Sequence, residues 1–321
     1  MSLVVVPPGL AAGSDDPLRA AGHAVEVLAH RSAPALQGAA RRADALVTLL
    51  TDRIDADVLA AGAGRLAVVA NVAAGHDNVD RAAAAIHGVT VCNTPGILDE
   101  STAELAVTLA LMARRRTTEA EAALRAGRWT GWEVDGFLGH DLGGATMGVV
   151  GWGRIGRAVG RRAAALGMRV LHTGRRPTGD PGWVPDLDDL LAESDVVSLH
   201  VPLTPATHHL IDASRLRRMR PTSVLINTAR GAVVDEAALA DALHRGEIGG
   251  AGLDVYEHEP RVHPHLLTAP GAVLLPHVGS ATVATRAAMA RTATEAVVAV
   301  LAGRPSPAVV PPPDPDPEPS P

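Results

Sequence analysis

Three short segments of the chain each carry one residue able to act on a carbonyl: Arg230 in "INTARGAVVDEAAL", Glu259 in "GLDVYEHEP" and His277 in "LLPHVGSAT". A guanidinium can hold a carboxylate and polarise the neighbouring carbonyl, and an imidazolium can protonate the alkoxide that develops when hydride arrives. A carboxylate beside an imidazole fixes its tautomer and favours its charged form, a part Glu259 could play. The trio therefore suits hydride delivery to a 2-keto acid. Taken singly, each residue also has a plainer reading. Arg230 could be a helix-entry residue beside Gly231, Glu259 a surface acid before Pro260, and His277 a satisfied loop histidine after Pro276.

The hydride donor has its own signature. "GVVGWGRIG" places Gly151, Gly153 and Gly156 directly after an apolar strand and directly before a helical segment. In that context Gly151 allows the tight turn, Gly153 lets the backbone approach a pyrophosphate, and Gly156 lets the helix pack on the strand. The amides of Arg154 and Ile155 then face the phosphates at a helix N-terminus. About 20 residues on, an NAD site carries an acid for the ribose, and an NADP site replaces it and recruits arginine. Here the strand "RVLHT" ends in Gly174, Arg175 and Arg176. A guanidinium can bind the extra phosphate that a carboxylate would repel, so NADPH is the expected cofactor, with NAD possible. Asp180 lies beyond Pro177, too far past the strand to be the missing acid.

These residues need elements to position them. "LVVV", "AVEVLA", "ADALVTLL", "RLAVVANV" and "GVTVCN" read as strands between Ala-rich helical segments such as "DNVDRAAAAIHG". A second series follows: "TMGVVG", "MRVLHT", "DVVSLHV", "TSVLINT", "GGAGLDV" and "AVLLPH". Short apolar strands alternating with helices predict an α/β fold of two doubly wound parallel sheets, each covered on both faces. "DESTAELAVTLALMARRRTTEAEAALRAG", with acids early, arginines late and Gly127 at its end, predicts one long helix between the halves. "ATVATRAAMARTATEAVVAVLAG" predicts a last helix that returns to the N-terminal half. The Pro-rich, acidic stretch 304–321 predicts a disordered tail.

Composition excludes several function classes. A net charge of −6 over 321 residues offers nothing to nucleic acid or anionic lipid, and the apolar runs are too short to span a bilayer. The expected location is cytoplasmic, since "MSLVVVPPGL" lacks the basic start of a signal peptide. Cys92 is the only cysteine, so an internal disulfide and a thiolate metal cluster are both excluded. All 29 basic residues are Arg, which rules out a lysine Schiff base or a P-loop lysine. No metal site is expected. His208, His209, His263 and His265 show neither carboxylate partners nor ligand spacing and read as structural or surface residues.

Together, "NVAAGHDNVD", "NTPGILDESTAELAV", "VVGWGRIGRA", "PLTPATHHLI", "INTARG", "GLDVYEHEP" and "LPHVGSAT", in this order from about Leu46 to Gly303, resemble the motifs of the D-isomer-specific 2-hydroxyacid dehydrogenase family. The resemblance implies a flavodoxin-like substrate domain (1–98 plus 284–303) and a Rossmann NAD(P)-binding domain (99–283), with Arg230, Glu259 and His277 catalytic. It implies that Asp254 contacts the nicotinamide carboxamide, and that Thr102, Pro202, Thr207, Thr228, Ala229 and Gly279 join the cofactor site. The amides of the Ala73–Gly75 loop, at Ala74 and Gly75, would hold the substrate carboxylate alongside Arg230, and Leu50 would line the pocket.

Within the family, "AGRWTGWEVDGFLGHDLGGATMGVVG" and "HTGRRP" look most like the glyoxylate/hydroxypyruvate reductase branch. That branch implies reduction of a small 2-keto acid by NADPH, giving glycolate or D-glycerate. It also implies a homodimer joined through the nucleotide-binding domains, with Trp132 closing the neighbouring subunit's pocket and Trp129 in the interface core. Two other readings stay open: a D-2-hydroxyacid dehydrogenase of phosphoglycerate or lactate type, and a corepressor-like protein that senses NAD(P)(H).

Overall fold

The structure is a computed structural model and describes residues 1–313, which divide into two compact units, Met1–Leu98 with 281 onward, and Asp99–Ser280. In the first unit β1 (Leu3–Val6), α1 (Asp16–Ala20), β2 (Ala24–Val27), α2 (Ala33–Arg42), β3 (Ala45–Thr48), α3 (Ala56–Ala61), β4 (Val68–Asn71), α4 (Arg81–Ile86) and β5 (Thr90–Cys92) alternate. The five strands run parallel in the order β2-β1-β3-β4-β5, the flavodoxin-like arrangement. Side chains alternate across the sheet: Val5, Leu46, Val69 and Val91 meet α2, α3 and α4, while Val4, Val47, Val68 and Cys92 face the other way.

The second unit begins with α5 (Asp99–Arg114) and α6 (Thr117–Arg125). It continues through β6 (Thr146–Val150), α7 (Arg154–Ala165), β7 (Arg169–Thr173), α8 (Leu187–Glu193), β8 (Val196–Leu199) and α9 (Ala213–Leu216). It ends with β9 (Val224–Asn227), α10 (Glu236–Arg245), β10 (Gly250–Leu253) and β11 (Ala272–Leu274). Six parallel strands in the order β11-β10-β9-β8-β6-β7 form a Rossmann sheet whose order reverses between β6 and β8, where such sheets bind ligands. Ala103, Ala106, Leu109 and Ala110 of α5 cover one face with Val159 of α7, and Leu190, Leu216 and Leu239 cover the other.

The expected single long helix is two. Arg116 takes a left-handed φ of 51°, and the carbonyl of Arg114 accepts the His140 N–H at 2.8 Å instead of continuing the helix. Arg114 is itself buried, with its guanidinium on the carbonyls of Asp141 (3.0 Å) and Thr222 (3.4 Å). The break is a tertiary demand, made by a loop more than twenty residues downstream.

The last helix, α11 (Val283–Leu301), lays Met289, Ala290, Ala293, Ala296 and Val297 on the face of the first sheet formed by Val4, Val6, Val47 and Val68. Each of those valines gains about 1.5 kcal/mol or more when covered, which is why the helix returns to that sheet. The stretch from 304 to 313 departs from the disorder expected of a Pro-rich tail. Asn93 donates its N–H to the Ala308 carbonyl at 2.9 Å, Val310 donates to Val91 at 2.8 Å, and Ala308 is buried. The apolar triplet Ala308–Val310 lets the segment pair with the edge strand β5 despite its prolines. The rest of the expected tail, 314–321, lies outside the described residues. No helix among the described residues is long and apolar enough to cross a membrane.

Candidate active site

At the end of β6 the chain passes through Gly151 at φ 100°, where a Cβ would stand 2.6 Å from the His200 carbonyl oxygen. A Cβ on Gly156 would overlap the Gly151 carbonyl. These two glycines are demanded by strand–helix packing. Gly153 differs, because a Cβ there would meet no atom within 4 Å, so its backbone forms an open floor. Gly153 also caps α7, and no side chain satisfies that cap. The first-turn amides at Arg154 and Ile155 are thus offered to an anion, aided by the helix dipole. The Arg154 guanidinium binds Asp99 at 3.0 Å. On the β9 turn, the buried hydroxyl of Thr228 has no hydrogen-bond partner among the described residues. Open floor, free amides and orphaned hydroxyl together fit a dinucleotide.

Beyond β7, Gly174 leads to Arg175 and Arg176, both exposed and without an ion-pair partner among the described residues. The chain then turns back along β7: His172 donates its N–H to Gly182 at 2.8 Å and accepts from Val184 at 2.9 Å. This return brings Asp180 to the start of α7, where it accepts from Trp152 Nε1 at 2.5 Å and pairs with Arg157. The Trp152 bond, then the Arg157 charge, hold its carboxyl below the usual range. Both contacts fall on Oδ2, which is therefore engaged by protein. Trp152 also stacks on His172, with ring centroids 4.0 Å apart.

The three carbonyl-chemistry residues stand on the turns after β9, β10 and β11. Asn227 shapes the first turn, its Nδ2 donating to the Arg230 carbonyl at 2.9 Å and its Oδ1 accepting the Ala229 N–H at 3.0 Å. Arg230 Nη1 donates to the Ala229 carbonyl at 2.7 Å. Glu259 accepts the Tyr256 N–H on Oε1 at 3.2 Å and meets His277 Nδ1 on Oε2 at 2.8 Å. Burial alone would raise the Glu259 carboxyl. The His277 bond and charge, the Tyr256 N–H and the Arg230 charge outweigh it and hold the carboxyl low. Since a carboxylate can only accept, Nδ1 carries the proton of this bond, and Nε2 is the nitrogen left for a substrate. Asp254, buried at the end of β10, spends its carboxylate on the amides of Val278 (2.7 Å) and Gly279 (2.8 Å). Thr102 reaches the Gly279 carbonyl at 3.4 Å. Thr207 donates to the Pro202 carbonyl at 2.6 Å, shaping the loop after β8.

In the first unit, asparagines unnoticed in the sequence organise the loop carrying Ala74 and Gly75. Asn93 Nδ2 donates to the Ala74 carbonyl at 2.7 Å and Asn71 Nδ2 to Gly75 at 3.0 Å. Asn78 bridges Asn71 at 2.9 Å to the carbonyl of Leu49, next to Leu50, at 3.1 Å. The loop's carbonyls are thus held from within by the Asn71 and Asn93 side chains. Their signal was the recurrence of Asn at strand ends, which reads from sequence merely as turn chemistry.

Trp129 and Trp132 sit on the arm 128–141, and Trp132 is 83% exposed with Val134 and Leu138 beside it. Among the histidines expected to lack carboxylate partners, His209 corrects the reading: its Nε2 lies 2.5 Å from Glu257 Oε1. The partners are 48 residues apart, on loops after β8 and β10, so chain spacing could not show the pair.

The family model for the NAD-binding domain of D-isomer-specific 2-hydroxyacid dehydrogenases matches residues 107–279. The glyoxylate reductase of Thermococcus onnurineus is 46% identical over 280 residues, 84% of this chain and 83% of that protein. A Thermus thermophilus crystal structure superposes with a TM-score of 0.91 at 44% identity, covering 96% of this chain and 99% of its own. An NADPH-dependent glyoxylate/hydroxypyruvate reductase from Sinorhizobium meliloti, in complex with NADP and malonate, superposes with a TM-score of 0.86 at 34% identity, covering 96% of each chain. The chain is an NAD(P)-dependent oxidoreductase and belongs to the D-isomer-specific 2-hydroxyacid dehydrogenase family, in its glyoxylate reductase branch.

Proposed function

We propose that the chain is an NADPH-preferring reductase of glyoxylate and hydroxypyruvate, giving glycolate and D-glycerate. The observation that carries this reading is the 2.8 Å pairing of His277 Nδ1 with Glu259, beside the Arg230 charge. When bound at the glycine turn, the nicotinamide cofactor supplies the hydride. Arg230 holds the substrate carboxylate and draws electron density from the carbonyl. His277 donates its Nε2 proton to the alkoxide as it forms. Glu259 orients the ring and balances the charge of the imidazolium. The amides of Ala74 and Gly75 add donors for the carboxylate, and Leu50 limits the side chain.

Support for NADPH comes from Arg175 and Arg176, free of other ion pairs among the described residues, and from the absence of an acid at Gly174. The Sinorhizobium reductase, similar in fold, uses that cofactor. Asp254, Gly279, Thr102, Pro202, Thr207, Thr228 and Ala229 line the cofactor site in this reading. The exposed arm with Trp129 and Trp132 serves as the dimer contact, Trp132 reaching the partner's pocket.

The test is cofactor oxidation at 340 nm with glyoxylate, hydroxypyruvate, pyruvate and a branched keto acid, each with NADPH and NADH. The expected result is highest kcat/KM for the two small hydroxylated or aldehydic acids with NADPH. Preference for NADH overturns the cofactor assignment, and absence of turnover with every acid favours a sensor.

A further inference from the structure

Away from the trio stands a second histidine–carboxylate group. His209 Nε2 meets Glu257 at 2.5 Å, and the His208 ring stacks on His209 with centroids 4.1 Å apart at 26°. One donor atom each from His208, His209 and Glu257 lie within 4.8 Å of one another. Successive residues of an extended chain send their side chains to opposite faces. Here the chain is a turn and not a strand, and His209 occupies a left-handed φ of 49° within it, a conformation costing a histidine about 1 kcal/mol.

Hydrogen bonds that spare the ring nitrogens hold this arrangement. His208 N–H donates to Thr204 at 2.9 Å and His209 N–H to Ala232 at 2.8 Å. Glu257 donates its N–H to Glu236 at 2.6 Å, and its second carboxylate oxygen accepts the Glu236 N–H at 3.3 Å. Strain retained at a cluster of donors, with a supporting layer behind it, is how metal ligands are held.

We propose that His208, His209 and Glu257 bind a divalent transition cation of the zinc class. Two imidazoles and one carboxylate suit a borderline ion, and three protein ligands leave a position for water, which exposed His208 admits. Tetrahedral bonds of about 2.0–2.1 Å place ligand atoms roughly 3.4 Å apart, so the His209–Glu257 pair, now at 2.5 Å, opens to admit the ion while His208 turns toward it. The ion takes the place of the proton shared by His209 and Glu257. That proton moves to the other ring nitrogen when the ring is neutral and to solvent when it is charged, so protons compete with the ion for the site. Occupancy ties the loop after β8 to the loop after β10, which also carries Glu259.

The test uses full-length, tag-free, chelator-stripped protein titrated with zinc against a chromophoric chelator, with thermal unfolding recorded in parallel. One equivalent is expected to bind with micromolar or tighter affinity and to raise Tm. His208→Gln, on an exposed side chain, should weaken binding at least about tenfold and remove the Tm shift. His265→Gln, altering the separate cluster of His244, His263 and His265, should change neither. No stoichiometric binding, wild-type affinity in His208→Gln, or an equal loss in His265→Gln would each overturn the site.

Discussion

The backbone carbonyl of Asp254 accepts the His277 N–H at 2.8 Å, while its carboxylate takes the next two amides at 2.7 and 2.8 Å. One buried residue at the end of β10 thus sets the entry of the loop that holds His277 at a φ of 55°. Burial raises the Asp254 carboxyl, and the two amides pull the other way. Asp254→Asn keeps one acceptor oxygen and leaves one buried N–H unpaired, a loss of about 1–3 kcal/mol. Urea unfolding should show a lower midpoint and steady-state kinetics a lower kcat. An unchanged midpoint would show that the two amides find other partners.

His277→Asn removes the proposed proton donor and leaves the glycine turn untouched. Turnover should fall by about 10²–10⁴, the usual worth of a general acid, while NADPH affinity stays nearly constant. Glu259→Gln retains an acceptor and loses the charge, so its loss should be smaller. Because the Glu259 carboxyl is held low, the wild type keeps this charge as pH falls below the ordinary carboxylate range, and activity dependent on it disappears only at lower pH. A pH–rate profile of both variants measures this, and equal losses would deny Glu259 an electrostatic part.

Gly231 follows Arg230, and a Cβ there would coincide with the Tyr256 backbone. The turn bearing Arg230 and the strand end leading to Glu259 are in contact only because this residue has no side chain. Gly231→Ala must push them apart, costing about 1–3 kcal/mol by overpacking. KM for the keto acid should rise together with a fall in kcat. Wild-type kinetics would mean that the two turns move independently.

Arg175→Ala and Arg176→Ala separate phosphate recognition from generic surface charge. A charge-assisted bond to the 2′-phosphate is worth about 1.5–3 kcal/mol, so each variant should lose about tenfold or more in kcat/KM with NADPH. Values with NADH should hardly change. Equal losses with both cofactors would point to the shared pyrophosphate instead.

The eleven strands among the described residues were legible because most are runs of β-branched or aliphatic residues bounded by turns, and parallel sheets bury both faces. The return of α11 was legible because the second sheet had no face left to cover. What escaped depends on partners distant in sequence. The α5–α6 break has no Gly or Pro to announce it and is made by the His140 amide. The pairing of His209 with Glu257 joins two loops that only the sheet brings together. Asp180 looked remote because β7 ends well before it, until the chain folds back to Trp152. Proline content hid the apolar triplet at 308–310.

The last prediction concerns stability and pH. His200 follows β8, its Nε2 within 2.8 Å of the Ser198 hydroxyl, and burial pushes the imidazole down to about 4. An unfolded histidine titrates near 6.5, so between about 6.5 and 4 the unfolded chain binds a proton that the native chain refuses. Stability from this residue is complete above about pH 6.5 and is lost as the pH falls toward 4. At about 1.4 kcal/mol per pH unit over about 2.5 units the loss is at most about 3.5 kcal/mol, and smaller because the residue is only half-buried. The buried ring of His172, also shifted down by burial, adds in the same direction. Denaturant midpoints measured from pH 7.5 to 5 should therefore fall less steeply for His200→Asn than for the wild type. Subtracting the two curves removes the contribution of the other histidines, and coincident slopes would mean that His200 can be protonated within the native fold.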